Sequence, residues 1–547
     1  MNKKIIVLGL VLCFAFNFSI GSANINIHHE KNVIDDAKEY SFSNDYGIQW
    51  VMNFGSDRRY GARYEGPQPI GDCDNDGDNE VLVGGRDGRL RIFEWDEQKQ
   101  TYLEMHTLHC PFYPFKNFDA GGFAIGDLTG DGKNEIGLSW NTAIHKWKNG
   151  KYDIIGYNNW RFANGGGSAD CYVGDYDNDG ENELIQSGGP MYDGSEVPEI
   201  GIYKWNGFNV VKEAEWDISS QGYTFVYMPG VGDIDEDGKN EIVLGSAYKV
   251  FVLDWDEDKK EFKETVIKTT GHDYYPFACV LKDSDMDGKN EIHVGYSSPL
   301  FIIFEWDGDS YEVKYEKEWY GEGSIIEGVD VGDVDNDGIA EVCVGTDVVH
   351  ILQWNGTTYV EEAVLPTFGD LAVVSIGDCD NDGINEINAG SVIVNWGQDF
   401  MYWIYKYDIQ NDKNTVPTQT GSLKVFTKRS FLGLPLKNAS VAAWNKDTNM
   451  WYDIQAKPTT FSMYTRNDLP EGEYLLRVIM EGYQIQETTI TIQEGQETNH
   501  TFILSLKSVS KDFNQNNPLI NINILFKIIE RIINNNPLLN RLLQFKI

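Results

Sequence analysis

The chain has 547 residues, with 45 basic and 85 acidic side chains that give a formal net charge of −40. A chain of this length has room for two or three domains, and strong acidity without a basic stripe argues against nucleic acid as a partner. After the N-terminal apolar run no stretch reaches the ~18 uninterrupted apolar residues of a membrane span, so we expect no transmembrane segment.

The first 23 residues have the pattern of a secretory signal peptide. Lys3 and Lys4 precede an apolar run over residues 5–20, and small residues follow as far as Ala23. Such a segment is too short and wrongly flanked for a spanning helix. We therefore predict a signal peptide over residues 1–23, a linker over 24–44, and a secreted or cell-surface protein.

One nine-residue phrase, Asp-x-Asp-x-Asp-Gly-x-x-Glu, recurs through the next part of the chain. Oxygen-bearing side chains at positions 1, 3, 5 and 9 suit calcium, a hard cation that takes about six to eight oxygen ligands, and Gly at position 6 permits a sharp turn. One such loop could be an ordinary Asp-rich turn, but seven in register favour metal binding. The copies begin at Asp72, Asp127, Asp175, Asp233, Asp283, Asp333 and Asp378.

These seven windows also account for most of the net charge. They hold 30 of the 85 acidic residues and three of the 45 basic ones. Without a metal each loop brings like charges close together, so we expect calcium to contribute strongly to folding.

The spacing of the copies predicts the architecture. Their starts lie 45 to 58 residues apart, a period typical of propellers and other repeat arrays. An apolar run ending in Gly-Asp precedes six of the seven loops, and a β-branched run follows each one, so every loop is predicted to join two strands of a hairpin. Residues 48–55 are predicted to form a strand that belongs to no other unit. We expect this strand to be the fourth strand of the last unit and to close the ring by hydrogen bonds, which removes an exposed sheet edge.

An aromatic residue, followed in most copies by Asp or Asn, marks a second turn in each unit. Each unit is then four strands, and seven units predict an all-β fold with a seven-bladed β-propeller over residues 45–410. We interpret the aromatic stripe as blade-to-blade core rather than as a ligand platform. Its members are Trp95, Trp147, Trp205, Trp255, Trp306, Trp354 and Tyr407.

Six cysteines remain after the signal segment, and no CxxC pair occurs among them, so a zinc site has little support. Cys73 and Cys379 occupy the second position of the first and seventh loops, which become neighbours if the ring closes. A disulfide between them is one possibility, and buried free thiols are the interpretation we favour.

The chain beyond the repeats predicts a different unit. Residues 411–419 form a polar linker, and residues 420–506 alternate with period two between turns, as in a small β-sandwich. The phrase from Leu469 to Tyr483 resembles the carboxypeptidase-regulatory-like, or PEGA-like, modules, which implies a spacer or accessory binder. Residues 507–547 are an Asn-rich linker and an amphipathic helical tail divided by Pro537, which we expect to dock on this protein or a partner; anchoring at the cell surface is the alternative.

The seven Asp-rich loops between strands resemble the FG-GAP/VCBS repeats of the integrin α-subunit propeller. In that family positions 1, 3, 5 and 9 supply side-chain oxygens and position 7 its backbone carbonyl, so the resemblance implies up to seven calcium ions, one per blade. Two departures are the Glu at position 9 and Thr129 at position 3 of the second loop, which we expect to be the weakest site. The implied ligands are Asp72, Asp74, Asp76, Asp78 and Glu80; Asp127, Thr129, Asp131, Lys133 and Glu135; Asp175, Asp177, Asp179, Glu181 and Glu183; Asp233, Asp235, Asp237, Lys239 and Glu241; Asp283, Asp285, Asp287, Lys289 and Glu291; Asp333, Asp335, Asp337, Ile339 and Glu341; and Asp378, Asp380, Asp382, Ile384 and Glu386.

Long aromatic connections are predicted on the face opposite the loops, starting at Cys110, Tyr157, Gly271 and Glu318. Aromatic rings beside polar groups suit a glycan or a protein loop, although packing of the connections among themselves explains them equally well. The preferred hypothesis is a calcium-stabilised binding or adhesion protein without catalytic residues, for an extracellular glycan or protein.

A lyase-like polysaccharide enzyme is the alternative function, because some lyases resemble this propeller, and a structural surface-layer component is a third. A lyase needs a base near a positive charge, and several candidate groups are predicted to lie on this face. They are Arg58, Arg59, Arg63, His272 and Tyr274.

Overall fold

The computed structural model describes residues 43, 45–56, 68–85, 88–109, 122–139, 142–158, 167–189, 199–218, 226–271, 274–319, 325–367, 372–391, 399–408, 419–430, 433–457 and 460–507. The predicted signal peptide, nearly all of the linker after it and the helical tail over 508–547 lie outside these residues. All described residues belong to one compact unit, Phe42–Ile547.

Every regular element in the described part of the chain is a β-strand, so the fold is all-β there. No helix in that part could cross a membrane. Six antiparallel four-stranded sheets follow one another along the chain, and we call them units 1 to 6.

Units 1 to 3 contain the following strands in sheet order. Unit 1 has β2 (Ile70–Gly71), β3 (Glu80–Gly84), β4 (Arg89–Asp96) and β5 (Thr101–His109). Unit 2 has β6 (Phe123–Gly126), β7 (Glu135–Leu138), β8 (Ala143–Trp147) and β9 (Tyr152–Tyr157). Unit 3 has β10 (Gly167–Gly174), β11 (Glu183–Gly189), β12 (Ile200–Trp205) and β13 (Val210–Trp216).

Units 4 to 6 repeat the same order. Unit 4 has β14 (Gly230–Gly232), β15 (Glu241–Ser246), β16 (Lys249–Asp256) and β17 (Glu261–Thr269). Unit 5 has β18 (Pro276–Lys282), β19 (Glu291–Tyr296), β20 (Leu300–Trp306) and β21 (Tyr311–Glu318). Unit 6 has β22 (Gly328–Gly332), β23 (Glu341–Gly345), β24 (Val348–Trp354) and β25 (Tyr359–Pro366).

Unit 7 combines strands from the two ends of the repeat region. Its first three strands are β26 (Ala372–Gly377), β27 (Glu386–Ser391) and β28 (Phe400–Tyr407), and its fourth is β1 (Tyr46–Gly55). The pairing is antiparallel, with Tyr46 opposite Tyr407 and Gly55 opposite Phe400. The prediction that residues 48–55 complete the last unit is therefore confirmed.

Neighbouring units pack closely at the end of their first strands, which explains the Gly of the Gly-Asp signature in units 2, 6 and 7. A Cβ at Gly126 would lie 2.5 Å from Cγ1 of Val173 in the next unit. A Cβ at Gly377 of unit 7 would lie 3.0 Å from the Ile70 side chain of unit 1, so the last unit packs on the first. This arrangement of four-stranded sheets is propeller-like.

The C-terminal strands form two sheets around one core. They are β29 (Thr420–Arg429), β30 (Ser440–Asn445), β31 (Met450–Asp453), β32 (Gln455–Lys457), β33 (Thr460–Pro470), β34 (Gly472–Ile479), β35 (Gln486–Ile492) and β36 (Glu497–Leu504). The order is β32-β33-β29-β36 in one sheet and β31-β30-β34-β35 in the other. Leu423, Tyr464 and Leu476 belong to a buried cluster shared by both sheets.

The second of these sheets continues the sheet of unit 7, which the sequence did not predict. Strand β1 pairs with β28 on one side and, in parallel, with β31 on the other, with Val51 opposite Met450 and Asn53 opposite Tyr452. The result is one eight-stranded sheet. The outer edge of unit 7 is thus covered by the C-terminal strands.

Candidate metal centres

Each acidic loop joins the first two strands of its unit and is held in the same turn. The Gly at position 6 has a positive φ in every loop, for example +106° at Gly77 and +93° at Gly288, where a Cβ would be strained. Its amide donates to the Asp at position 1, at 3.1 Å from Gly77 to Asp72 and 2.9 Å from Gly288 to Asp283. The predicted role of this glycine is confirmed.

The Glu at position 9 is buried in all seven loops, with at most 2 % of each side chain exposed. In six loops its Oε2 accepts the backbone amide of position 2, as in the 2.7 Å bond from Cys73 to Glu80. One carboxylate oxygen is thereby fixed, and the other is left to face the inside of the loop.

The side-chain oxygens of several loops converge on one point. Ligand atoms lie within 4.8 Å of one another in the loops of units 1, 3, 4, 5 and 6. In unit 1 the group is Asp72, Asp74, Asp76 and Glu80. Such a set of carboxylates at short range suits an oxygen-binding divalent cation.

Buried carboxylate oxygens without a partner show that these loops fit a cation. Neither Oε1 of Glu80 nor either carboxylate oxygen of Glu183 has a hydrogen-bond partner. A buried charge left unpaired is costly. Burial raises the pKa of Glu80 to about 8, and burial together with the charge of Asp177 raises the pKa of Glu183 to about 9.

The metal-free protein is therefore expected to become less stable as the pH rises. Desolvation raises the pKa of Glu80, Glu183 and Glu241 to between about 8 and about 9, from an ordinary value of 4.5. Between pH values near the ordinary pKa of 4.5 and the raised pKa of about 8 to 9, the folded chain holds protons that the unfolded chain has lost. The unfolding free energy therefore falls with increasing pH in this range. Thermal unfolding in chelator should show its highest midpoint near pH 5 and a steady decline to pH 9.

The matched variant for this pH test is Glu183→Gln, which removes one of the titrating groups. Its midpoint should decline less steeply with pH than that of the parent chain. Equal slopes for the two proteins would contradict the assignment of the pH dependence to these glutamates.

A ring of asparagine side chains, which the sequence reasoning missed, links the loops. In each loop that has Asn at position 8, its Nδ2 donates to the backbone carbonyl of position 1 in the preceding loop. The bonds run from Asn79 to Asp378, Asn134 to Asp72, Asn182 to Asp127, Asn240 to Asp175, Asn290 to Asp233 and Asn385 to Asp333. The first loop is thus bonded to the seventh. The sixth loop has Ala340 at position 8, so it has no such asparagine.

Replacing one of these asparagines is expected to destabilise the fold. Asn240→Ala removes a 2.7 Å bond and leaves the carbonyl of Asp175 without this donor, a loss of about 1–3 kcal/mol. Denaturant unfolding at constant calcium concentration measures it. Lys239→Ala, at the exposed neighbouring position of the same loop, is the control and should change stability by less than about 0.5 kcal/mol. Equal effects of the two substitutions would contradict the linking role.

Tryptophans of the aromatic stripe contact the neighbouring unit, as predicted, whereas Tyr407 is exposed and contacts Tyr46 of its own unit. Trp147 of unit 2 contacts His106 of unit 1, with ring centroids 4.8 Å apart, and Trp255 of unit 4 contacts Tyr176 of unit 3 at 5.3 Å. The tryptophans are half-buried. Their indoles stabilise the junctions beside the acidic loops.

The cysteines in the described residues are buried free thiols, including Cys73 and Cys379. The Sγ of Cys73 contacts the Tyr152 hydroxyl at 3.0 Å, and that of Cys379 faces the Gly377 carbonyl at 3.2 Å. The interpretation as buried thiols is thus confirmed for these two, and Cys110 lies outside the described residues.

The structure describes only one of the five residues that were considered for a lyase, Tyr274. Arg58, Arg59, Arg63 and His272 lie outside the described residues, as do most of the long aromatic connections. The Tyr274 hydroxyl donates to Glu318 at 3.2 Å and its side chain is half-buried.

Comparison with known proteins supports the repeat type. The family model of the FG-GAP-like repeat matches residues 72–138, and that of the KICSTOR complex protein kaptin matches residues 259–364. No curated protein matches the chain. The chain therefore contains an FG-GAP-like repeat within a propeller-like all-β fold.

Solved structures with similar folds include BBS1N in complex with ARL6DN and Sqt1 of Saccharomyces cerevisiae. A lead-soaked BBS1N crystal is 14% identical, covering 65% of this chain and 98% of that chain at a TM-score of 0.41. A mercury-soaked crystal is 13% identical, covering 68% of this chain and 98% of that chain at a TM-score of 0.43. Sqt1 is 9% identical, covering 67% of this chain and 100% of that chain at a TM-score of 0.42. Likeness at this level carries no argument about function.

Proposed function

We propose that this chain is a secreted or cell-surface calcium-binding protein with a seven-bladed propeller over residues 45–410. Its blades are units 1 to 7, with up to one calcium ion in each acidic loop. The ions stabilise the ring, and the face opposite the loops binds an extracellular glycan or protein. The observation that carries the proposal is the set of buried glutamates, one per loop, that face clustered aspartates.

The ligand chemistry of the loops supports calcium over other metals. The proposed donors are carboxylates and backbone carbonyls, with one threonine hydroxyl, and oxygen-only sets favour hard cations. Flexible coordination by several side chains suits calcium better than magnesium, which keeps most of its water. The ion would supply the positive charge that compensates the buried glutamate carboxylates.

Aromatic side chains at the far ends of units 4 and 5 support a binding surface opposite the loops. Tyr248 and Tyr275 have ring centroids 4.0 Å apart, and Tyr227 lies 4.6 Å from Phe277. All four are half-buried. Partly exposed aromatic rings of this kind stack on sugar rings or hold apolar side chains of a protein.

The C-terminal strands are proposed to be a carboxypeptidase-regulatory-like β-sandwich over residues 420–506. Its strands extend the sheet of unit 7, which supports a fixed accessory module rather than a free spacer. The proposed signal peptide, the tail and its docking depend on residues outside the described part of the chain.

A glycan array combined with a screen for unsaturated products from acidic polysaccharides tests the functional proposal. Binding that calcium supports and Tyr248→Ala abolishes is the expected result. Val313→Ala, an exposed site on β21 of unit 5, is the control and should bind normally. Unsaturated products would instead support the lyase-like alternative, and no response in either assay would support a structural surface-layer role.

A further inference from the structure

We propose that only the loops of units 1, 3, 4 and 6 take calcium, and that in units 2, 5 and 7 a lysine ammonium group occupies the place of the ion. The inference rests on the proposed calcium role and refines it. It reduces the expected number of ions and identifies which residues decide whether a loop is a metal site.

Unit 7 shows the arrangement most completely. The Nζ of Lys406 lies 2.6 Å from Asp380 Oδ2, 2.7 Å from Asp382 Oδ2 and 2.8 Å from Glu386 Oε1. These carboxylates stand at positions 3, 5 and 9 of the loop, where three of the four side-chain ligands of an ion are expected. The ammonium group therefore sits at the centre of the ligand set.

Unit 2 repeats this geometry with the equivalent lysine. The Nζ of Lys146 lies 3.0 Å from Thr129 Oγ1, 2.7 Å from Asp131 Oδ2 and 2.5 Å from Glu135 Oε1, again at positions 3, 5 and 9. Threonine at position 3 removes one carboxylate from this loop, so an ammonium ion balances a larger share of its charge.

In unit 5 a lysine reaches the loop from a different strand. The Nζ of Lys314, on β21, lies 2.5 Å from Asp285 Oδ2, 2.9 Å from Glu291 Oε1 and 3.1 Å from Glu305 Oε1. The lysine side chain is only 7% exposed. Two different positions in the sheet thus deliver a lysine to the same place in a loop.

Among the residues that the structure describes, no lysine ammonium group lies between the ligands of the other four loops. The residue before the stripe aromatic on the third strand is Glu94 in unit 1, Asp254 in unit 4 and Gln353 in unit 6. The Gln353 amide nitrogen donates to Asp337 and Glu341 at 3.0 Å and 2.9 Å, but it carries no charge, and rotation of the amide turns its oxygen toward a cation. The exception is Lys204 of unit 3, which forms an ion pair with Glu213. The carboxylate oxygens of Glu183 are consequently left without a hydrogen-bond partner.

An ammonium group and a calcium ion cannot use the same oxygens together. Calcium binds oxygen at about 2.3–2.6 Å, and a lysine has three donors and no acceptor, so it cannot become a ligand. An entering ion would have to displace the ammonium group and then remain near its positive charge. The lysine therefore neutralises the loop and makes calcium binding unfavourable.

Counting the bound ions on the full-length protein tests this inference. Equilibrium dialysis against calcium, after removal of metal with a chelator, should give four ions per chain. Any other count above zero contradicts the inference but leaves the proposed calcium role in place. A count of zero removes the proposed calcium role itself.

Paired lysine variants identify the sites. Lys406→Gln should raise the count by one, whereas Lys204→Gln, at the same strand position but paired outside the loop, should leave it unchanged. Lys314→Gln provides a second gain-of-site test in unit 5. If Lys406→Gln and Lys314→Gln are folded and bind no more calcium than the parent chain, the lysines do not exclude the ion.

Thermal unfolding gives a readout that does not depend on counting. In chelator, Lys406→Gln should unfold at a lower temperature than Lys204→Gln because its loop loses the ammonium group. Adding calcium should raise the midpoint of Lys406→Gln by more than it raises that of the parent chain. An equal rise in both would contradict the exchange of lysine for calcium.

Discussion

Removing calcium with a chelator is expected to lower the unfolding temperature by on the order of 20 °C. A ligand present at 100 times its Kd stabilises the folded state by about 2.7 kcal/mol. Four such sites contribute about 11 kcal/mol, comparable with the ~5–15 kcal/mol of a whole domain. The effect is large because the position 9 glutamates are buried in every loop.

The controls for this experiment separate calcium from ionic strength and from other cations. Sodium chloride at matched ionic strength screens exposed charges but should not restore the lost stability. Magnesium should restore little of it, because it requires near-octahedral geometry and loses water reluctantly. An unfolding midpoint that is the same in chelator and in calcium would show that the loops do not bind the ion.

Much of the fold follows from the sequence because its local signals repeat. A hairpin needs only a turn and two apolar runs. Each copy of the phrase supplies the turn and the apolar runs stand directly beside it, so the strands around the loops were predictable. The closing strand β1 was predictable by elimination, since unit 7 lacked a fourth strand. The Gly before six of the seven loops was visible too, although the contact that requires it, such as that of Gly377 with Ile70, depends on the ring.

The missed features depend on distances between segments far apart in the chain. Asn at position 8 occurs in six of the seven loops, but its bond reaches a different loop. Lys406 and Lys204 look alike in sequence, and their side chains bind different carboxylates. The pairing of β1 with β31 joins Val51 to Met450, and no periodicity signals such a contact.

Breaking the buried ion pair between unit 1 and the C-terminal strands is expected to cost about 2–3 kcal/mol, below the ~3–5 kcal/mol of a pair whose remaining charge has no other partner. Arg91 on β4 and Asp453 on β31 lie 3.7 Å apart, and both side chains are at most 1% exposed. In Asp453→Ala the guanidinium group stays buried with one carboxylate fewer beside it, since the charge of Glu104 still acts on Arg91, and losing one partner of a buried pair is costly. Denaturant unfolding at saturating calcium measures the loss.

An exposed pair on β29 and β36 of the other C-terminal sheet provides the control. Lys424 and Glu497 lie 2.8 Å apart with 26% and 48% of their side chains exposed, so Lys424→Ala should cost only about 0–1 kcal/mol.

The double variant Arg91→Met, Asp453→Leu should recover part of the stability, because it removes both charges together but also removes the Arg91 charge beside the buried Glu104. If Asp453→Ala costs no more than Lys424→Ala, the pair does not hold the C-terminal strands to the ring. Polar bonds such as those from Arg466 to the Asn53 carbonyl, from Ser440 to Glu104 and from Trp451 to Thr101 would then remain as the polar connection. If instead Asp453→Ala is costly and the double variant recovers, the C-terminal strands and unit 1 unfold as one structure, because the buried charges stabilise both only while they are in contact.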